Sequence, residues 1–555
     1  MYNNKNTTFM NKIMKHTHII GLLSLLLFVS CLDDKGNYTY GEKDIITIDM
    51  PTTLSVVANA EYIDIKPVIT SNKEGAIEDG NANYEFLYER VNSDGDWVIL
   101  SSENKKDLYR IANLGIGKHT CRYSVTDKRT GIKSVKGFDI NIIVSTSEGW
   151  MLLCNEGSEE RVRLDMLSQL SKDRIIPAYD IAKNSDIPEM YHARSLGLFS
   201  NRMGTIGDKI TLMSETESYL LNNTYLTIDG NAYEMKASLF ASSPEDHIVN
   251  FACVPNNFFA NHAAIIAVSK EGNAFVWDLQ QSGTAFEDPA NTSERGGVPE
   301  YRVSPFVGVS TQRSTSGLSD GGAALLYDID NHRFIGWDGE REEQARRQTC
   351  YPLKDPDSAE KLFSFNTGSM ELVSMANTAF SNGAVYAIMQ DGNKRHIYSI
   401  NLSNSDFKQE GCWEDIQLTD FDKATLFCAH SQYQTLYYAY KNKVYSYNLS
   451  TGASKEAITL NPNEEVTTIK FCMYDNPGGV TQLTAKMDEE TAAAFTARQY
   501  ELIVGSYDTT STDNNGGILR FYQTSSPGTD LTLKPGWEYT GYAKIIDVKY
   551  KEVKP

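Results

Sequence analysis

The chain has 555 residues, too many for one hydrophobic core, so two or more domains are expected. A formal charge of −20 argues against a nucleic-acid partner, because phosphates need a basic surface, and against a basic patch lying flat on anionic lipid. With 39 Gly, 31 Tyr and many short β-branched or aromatic runs, the composition is that of a mostly β protein.

Residues 1–30 have the layout of an export signal. Ile19 to Val29 is an apolar run of 11 residues, well short of the ~20 that a membrane-spanning helix needs. Lys12 and Lys15 precede it, no acidic residue occurs in 1–30, and small Ser30 stands at the cut. Met14 to Ser30 alone also makes a complete signal. Val29-Ser30-Cys31 resembles a lipobox, the site at which bacteria attach acyl chains to Cys, with Phe28 where Leu is usual. The resemblance implies that Cys31 becomes the lipid-carrying first residue of the mature chain. Each buried CH2 of an acyl chain contributes ~0.8 kcal/mol, and several chains anchor firmly where one is marginal. Asp33-Asp34 resembles the signal that sends lipoproteins of the Bacteroidota to the outer cell surface. Loss of Lys5, Lys12 and Lys15 with the signal takes the balance from −20 to −23. No later apolar run approaches spanning length, so the lipid alone is expected to touch the bilayer.

Residues 31–44 are polar, hold Gly36 and Gly41, and suit a short lipidated tether. Residues 45–146 have the size of one immunoglobulin-like sandwich, ~100 residues. Ile63, Ile65 and Pro67 alternate with Tyr62, Asp64 and Lys66, while Tyr84, Phe86 and Tyr88 alternate with Glu85, Leu87 and Glu89. Phe138, Ile140 and Ile142 close the unit. Period-2 patterns of this kind belong to strands with one buried face. Asn92-Ser93-Asp94-Gly95 before Trp97 is a hairpin-turn signal. Cys121 shares a strand face with His119, Tyr123 and Val125 and reads as a buried small hydrophobe.

Two stretches here carry a family resemblance. Asp34-Lys35-Gly36-Asn37-Tyr38-Thr39-Tyr40 resembles the motif that follows the lipobox in PKD-like family lipoproteins of the Bacteroidota, and Tyr123-Ser124-Val125-Thr126-Asp127-Lys128-Arg129-Thr130-Gly131 resembles the late strand and turn of PKD-like domains. Together with the lipobox these are three separate matches within the first 146 residues.

From Gly149 the texture changes to a loose repeat of apolar strand, tight turn, and a second strand carrying an aromatic. Ala263–Val268 with Phe275–Leu279, Val385–Met389 with Ile397–Leu402, and Leu436–Tyr440 with Val444–Leu449 are clear copies. Weaker ones lie at Ile210–Leu221, Ala323–Trp337 and Glu501–Tyr522, and Trp150–Leu164 opens the series. Phe251-Ala252-Cys253, Leu426-Phe427-Cys428 and Lys470-Phe471-Cys472 mark an earlier strand in three of them. Repeats of roughly 40–60 residues with about four strands are the mark of a β-propeller. The expectation for 147–555 is about seven blades, with the last strand near Tyr542–Val548 pairing beside Trp150 to close the ring and hide its strand edges. Glu156–Tyr191, Ser282–Arg302, Gly339–Lys361 and Gly478–Arg498 read as loops or small helices, with a helix over Met487–Phe495 that has acidic residues in its first turn.

Candidate chemistry is sparse. Cys31, Cys121, Cys154, Cys253, Cys350, Cys412, Cys428 and Cys472 include no C-x-x-C pair, and lipidation of Cys31 leaves an odd number, so a disulfide scaffold is not expected. Gly317-Leu318-Ser319-Asp320-Gly321 matches G-x-S-x-G, but a strand follows it where a nucleophile elbow needs a helix. Asp328-Ile329-Asp330-Asn331 begins like a calcium loop, yet Arg333 and Gly339 stand where Gly and Glu are required, so a hairpin turn is expected. Asp508 to Gly517 reads as a solvated polar turn. No H-E-x-x-H occurs and the mature His residues are scattered, so no metal site is expected. Carboxylates of a glycosidase pair, ~5–9 Å apart, cannot be picked out from spacing. Trp413, Tyr351 and the Tyr433–Tyr447 cluster read as inter-blade packing or as sugar- and peptide-gripping surfaces.

The fold expected is therefore mostly β: an N-terminal Ig/PKD-like β-sandwich followed by a β-propeller. The family resemblance implies a cell-surface, outer-membrane lipoprotein without cofactor or catalytic residues. Its implied partners are a SusC/SusD-like transporter pair and other surface lipoproteins, and its cargo is an oligomeric nutrient, peptide or glycan, bound at residues left open for delivery to TonB-dependent transport. A propeller glycosidase or polysaccharide lyase, and a purely structural transporter subunit, are the alternatives.

Overall fold

A computed structural model describes residues 44–58, 61–101, 103–171, 174–199, 209–228, 246–255, 262–278, 286, 288–294, 296–309, 323–338, 349–402, 407–471, 484 and 487–552. The chain divides into two compact units. The first takes the described residues of Met1–Leu54, Ile63–Arg110 and His119–Asp139; the second takes Ser55–Tyr62, Ile111–Lys118 and Ile140–Pro555.

In the first unit the alternating stretches are strands with one face in the core. Tyr84–Val91 pairs with Gly117–Asp127 on one side and Trp97–Ser101 on the other. Tyr84, Phe86, Tyr88, Cys121, Tyr123 and Val125 are all buried. Tyr88 stacks on Tyr123 with ring centroids 4.3 Å apart and meets Phe138 edge-on. The turn after Asp127 is held by that residue's carboxylate, which accepts from the Arg129 backbone N–H and Nε at 2.9 Å and from Thr130 Oγ1 at 3.1 Å. The Arg129 guanidinium beside Asp127 holds its carboxyl down at about 2, and Arg129 also pairs with Glu74.

Among the described residues the second unit is built from seven antiparallel sheets, the blades of a propeller. Six have their hairpins at Lys209–Asn222, His262–Asp278, Ala323–Asp338, Ala384–Asn401, Thr435–Asn448 and Glu501–Ser525. These are the expected repeat copies. The first blade contains Gly149–Glu156, Arg161–Ser171 and Arg174–Ala178, and its innermost strand is the C-terminal Lys544–Lys551. Glu156–Tyr191, expected as a loop or small helices, thus carries two strands: polar residues at Arg161, Arg163, Asp165 and Ser168 mask a pattern whose apolar members Leu164, Met166 and Leu167 are buried. The expected helix is present at Glu489–Arg498, capped by the Asp488 side chain on Thr491 N–H. No helix among the described residues is long and apolar enough to cross a membrane.

Strands in the middle of a blade are buried on both faces, which explains their unbroken apolar runs. In Gly149–Glu156, Trp150, Leu152 and Cys154 pack with Ile503, Phe521 and Ile545, whereas Met151 and Leu153 pack with Leu196, Leu198 and Ile210 of the second blade. Each strand therefore glues two neighbouring blades, one with each side-chain parity.

The innermost strands are Lys544–Lys551, Ala193–Phe199, Ile248–Pro255, Gly308–Val309, Glu371–Asn377, Leu426–Ala429 and Glu464–Phe471, each beside the next and the last beside the first. Five skip one residue in pairing near their start, at Ile546, Arg194, Val249, Val373 and Thr467. Such bulges free backbone groups from the ladder, and a belt of bonds runs from blade to blade around the axis. Leu196 N–H donates to Asp547 at 2.9 Å, Ser195 Oγ to Val249 O at 2.9 Å, and Asn250 Nδ2 to Pro305 O at 2.8 Å. Asn377 receives Val309 N–H and donates to Val307 O, both at 3.2 Å; Thr378 Oγ1 donates to His430 O at 2.6 Å; Ser431 Oγ donates to Gln499 O at 3.1 Å. Lys470 Nζ, 2.6 Å from Asp547 Oδ1, completes the circle.

Closure of the first blade rests on a buried ion pair. Asp165, fully buried, accepts from Arg163 Nε at 2.7 Å and Nη2 at 2.9 Å, from Asp180 N–H at 2.7 Å and from Ala543 N–H at 3.2 Å at the start of the closing strand. Arg163→Met leaves that carboxylate uncompensated, and breaking one partner of a buried pair costs ~3–5 kcal/mol. Chemical denaturation should show a loss in that range; a loss under about 1 kcal/mol would sink the assignment.

His430 links the sixth and seventh blades. Fully buried, it accepts Gln432 N–H at 2.9 Å on Nδ1 and meets Thr524 Oγ1 at 2.8 Å through Nε2, and burial lowers its imidazole to about 4 from 6.5. The unfolded chain therefore binds the extra proton between these values. Stability from this residue is complete above pH 6.5 and falls by about 3 kcal/mol as pH drops to 4. Stability–pH curves for the wild type and His430→Gln should diverge over that interval; parallel curves would show that His430 is not held neutral.

Candidate functional site

Each innermost strand begins at the connection from the preceding blade, and antiparallel pairing returns the next hairpin turn to that same face. The turn at Asp391–Asn393, the connection 414–425 and the turn at Lys441–Asn442 therefore share one face, at the fifth and sixth blades. On it stands Arg395, 7% exposed, at the start of the strand Lys394–Asn401.

Four arginines among the described residues are buried. Arg163 holds Asp165 and Glu156, and Arg520 holds Glu464 and Glu538. Arg498 bonds Tyr550 OH at 3.0 Å and lies over the rings of Phe495 and Trp150. Arg395 differs. Its Nη2 donates to Asp422 O at 2.9 Å, while Nε and Nη1 are sealed from solvent with no partner among the described residues. Burial lowers its affinity for the proton, and only the charge of Asp422 acts in the other direction.

Fixed cations surround the loop that Arg395 touches. Lys423 Nζ is 2.9 Å from Asp420 Oδ1 and 5.5 Å from the Tyr440 ring centre; Lys441 Nζ is 5.4 Å from the same centre. The ring's negative face helps hold both ammonium groups. Lys441 sits in the turn with φ 52°, its carbonyl taken by Val466 N–H at 2.8 Å. Asp420 also accepts Tyr445 OH at 2.9 Å, and hydrogen bonding from Lys423 lowers its pKa. Asp415, bound by Lys394 at 3.3 Å, is lowered likewise. A general acid working near neutral pH needs the opposite shift; these carboxylates stay charged and hold the neighbouring lysines.

Cys31, Asp33 and Asp34 lie outside the described residues, as do Gly317–Gly321 and Cys472. Asp328–Asn331 forms the hairpin turn expected: buried Asp328 accepts Asn331 N–H at 3.0 Å and Arg333 Nε at 2.8 Å. Asp508 is occupied by Thr510 N–H at 2.9 Å, and no metal-holding group of three or more His, Cys, Asp or Glu occurs among the described residues. Trp413 donates to Leu449 O at 2.9 Å and packs between blades, as do Tyr437, Tyr438 and Tyr445; Tyr351 bonds Asp338. Cys428 is buried and its thiol is pushed up by that burial. Arg395 was not among the residues singled out from sequence. Its signal is Lys394-Arg395-His396, the longest uninterrupted basic run in an acidic chain.

Residues 31–187 match the PKD-like family. The match begins at Cys31 and runs beyond the first unit through Ala178 of the first blade. No curated protein matches the chain. Among solved structures, a quinonprotein alcohol dehydrogenase-like protein from Bacteroides thetaiotaomicron is similar at 10% identity and TM-score 0.40, over 94% of this chain and 98% of its own. A DUF4784 family protein from Bacteroides caccae is similar at 10% identity and TM-score 0.29, over 78% and 97%. The WD40 domain of SCAP from fission yeast is similar at 8% identity and TM-score 0.34, over 72% and 89%.

A buried guanidinium with two unmatched donors destabilises the free protein. Arg395→Met should raise unfolding free energy by about 1–3 kcal/mol in denaturant titrations without ligand. A destabilised variant would mean that Arg395 is compensated within the chain.

Proposed function

We propose that this is a cell-surface lipoprotein of the Bacteroidota, and an accessory nutrient-binding component of a SusC/SusD-like TonB-dependent uptake complex. The supporting observation is the PKD-like match that starts at Cys31, directly after a stretch with the layout of an export signal and at the Cys of a lipobox-like sequence. Asp33 and Asp34 follow as the surface-export signal. The propeller supplies a rigid face on which polar groups are held in place, and capture of an oligomeric nutrient requires no bond chemistry.

Two measurements test this in the native host. Cys31→Ser should move the protein from the membrane to the soluble fraction, with the N-terminal peptide losing the mass of its acyl chains. Mild-detergent purification of the wild type through a C-terminal tag should bring down a TonB-dependent transporter and a SusD-like lipoprotein. An acylated protein that purifies alone would refute the uptake role, and an unmodified Cys31 would refute the anchor.

A further inference from the structure

We propose that the strand Trp97–Ser101 of the first unit pairs antiparallel with the same strand of a second copy of this chain. The pairing is independent of the uptake role.

Trp97–Ser101 stands at the end of its sheet, with Tyr84–Val91 on one side and no strand on the other among the described residues. Natural sheets guard such edges with charge or proline. Outer strands of the propeller are guarded in this way: Arg174 with Pro177, Lys408, Lys455, and Lys534 with Pro535 stand on four of them. Trp97-Val98-Ile99-Leu100-Ser101 carries neither, and leaves Trp97 40% and Ile99 62% exposed. Arg122, 2.7 Å from Glu89, lies 4.1 Å from the centre of the Trp97 ring and holds it against the sheet.

The free backbone groups lie beside these two residues. Asn92 N–H donates to Asp96 O at 2.9 Å, and Val91, Arg90 and Glu89 stand opposite Trp97, Val98 and Ile99. Hydrogen-bonded and non-hydrogen-bonded pairs alternate along an antiparallel ladder. Val98 therefore bonds inward to Arg90, and the N–H and C=O of Trp97 and Ile99 point to the open edge. Beyond them the pairing skips Leu100, whose carbonyl takes Arg110 Nη1 at 2.7 Å.

That stretch is self-complementary, as a two-fold interface requires. An axis at Val98 sets Trp97 opposite Ile99 of the second copy, so the outward N–H and C=O groups meet in hydrogen-bonded pairs. Trp97 and Ile99 share one face, and each Trp then covers an Ile across the join. The two Val98 side chains meet at the axis on the other face. Asp96 falls opposite Leu100 and Gly95 opposite Ser101, so no like charges face each other along the strand. The charge of −20 is screened beyond ~8 Å at ~0.15 M salt. Two Trp, two Ile and two Val side chains hide on the order of several hundred Å2, below the ~1,200 Å2 of a standard interface, so the dimer is weak.

The test is sedimentation equilibrium at ~0.15 M salt on the full mature chain, made without lipid by Cys31→Ser. A monomer–dimer equilibrium with Kd of ~10–100 μM is expected. Ile99→Lys, at an exposed position that leaves the core intact, should weaken it at least about tenfold. Val98→Cys should form an intermolecular disulfide under mild oxidation, because facing residues of a non-hydrogen-bonded pair are ~4.5 Å apart at Cα. Val135→Cys, equally exposed but on the interior strand Lys133–Ile143, should not. A chain that stays monomeric up to ~0.2 mM, a dimer indifferent to Ile99→Lys, or Val98→Cys cross-linking no better than Val135→Cys overturns the pairing. So does a monomer that instead holds a strand of another protein through Ile99.

Discussion

Everything in the propeller depends on one strand arriving last. Lys544–Lys551 must reach back across nearly the whole unit to become the innermost strand of the blade begun by Gly149–Glu156. Until it docks, Gly149–Glu156 exposes a sheet edge, and Trp150, Leu152 and Cys154 lack their neighbours Ile545 and Val548. Such a long loop is entropically unfavourable to close, so the site of closure has to be specific. Asp165 supplies that specificity by fixing Ala543 N–H together with Arg163. Gly517 allows it: a Cβ there would lie 2.0 Å from Ala543 O.

The belt around the axis extends the same logic. Neighbouring blades bond one another near the axis, and at Val249 a bulge turns a backbone carbonyl toward that task. Lys470 and Asp547 join the seventh blade to the first, so the side-chain belt and the strand closure reinforce each other. A scaffold closed twice can tolerate badly satisfied polar groups within it. Arg395 is one of these, with two buried donors unmatched where the other buried arginines among the described residues are paired.

The two ends of the sequence are legible in different ways. The N-terminal features are local: an 11-residue apolar run, a small residue, Cys31 and an acidic pair need no fold to be read. The turn at Asp127–Gly131 is local too, since its bonds run within four residues. Blade hairpins are nearly as local, which is why His262–Asp278, Ala384–Asn401 and Thr435–Asn448 were recognisable from alternating runs and turn residues. Arg161–Ser171 was not, because its polar residues find partners such as Asn515 and Gly541 more than 350 positions away.

By itself, then, the sequence determined the β class, the repeat and its hairpins, because each follows from side-chain periodicity or from contacts between near neighbours. Tertiary structure decided the rest. Whether a basic residue is paired is a matter of which loop folds over it, and Lys394-Arg395-His396 looks like any surface run until Ile416 N–H and Asp422 O are placed against Arg395. The gathering of Lys423 and Lys441 at Tyr440 likewise joins a connection between blades to a hairpin turn. No spacing rule links those positions; only the packing of one blade against the next does.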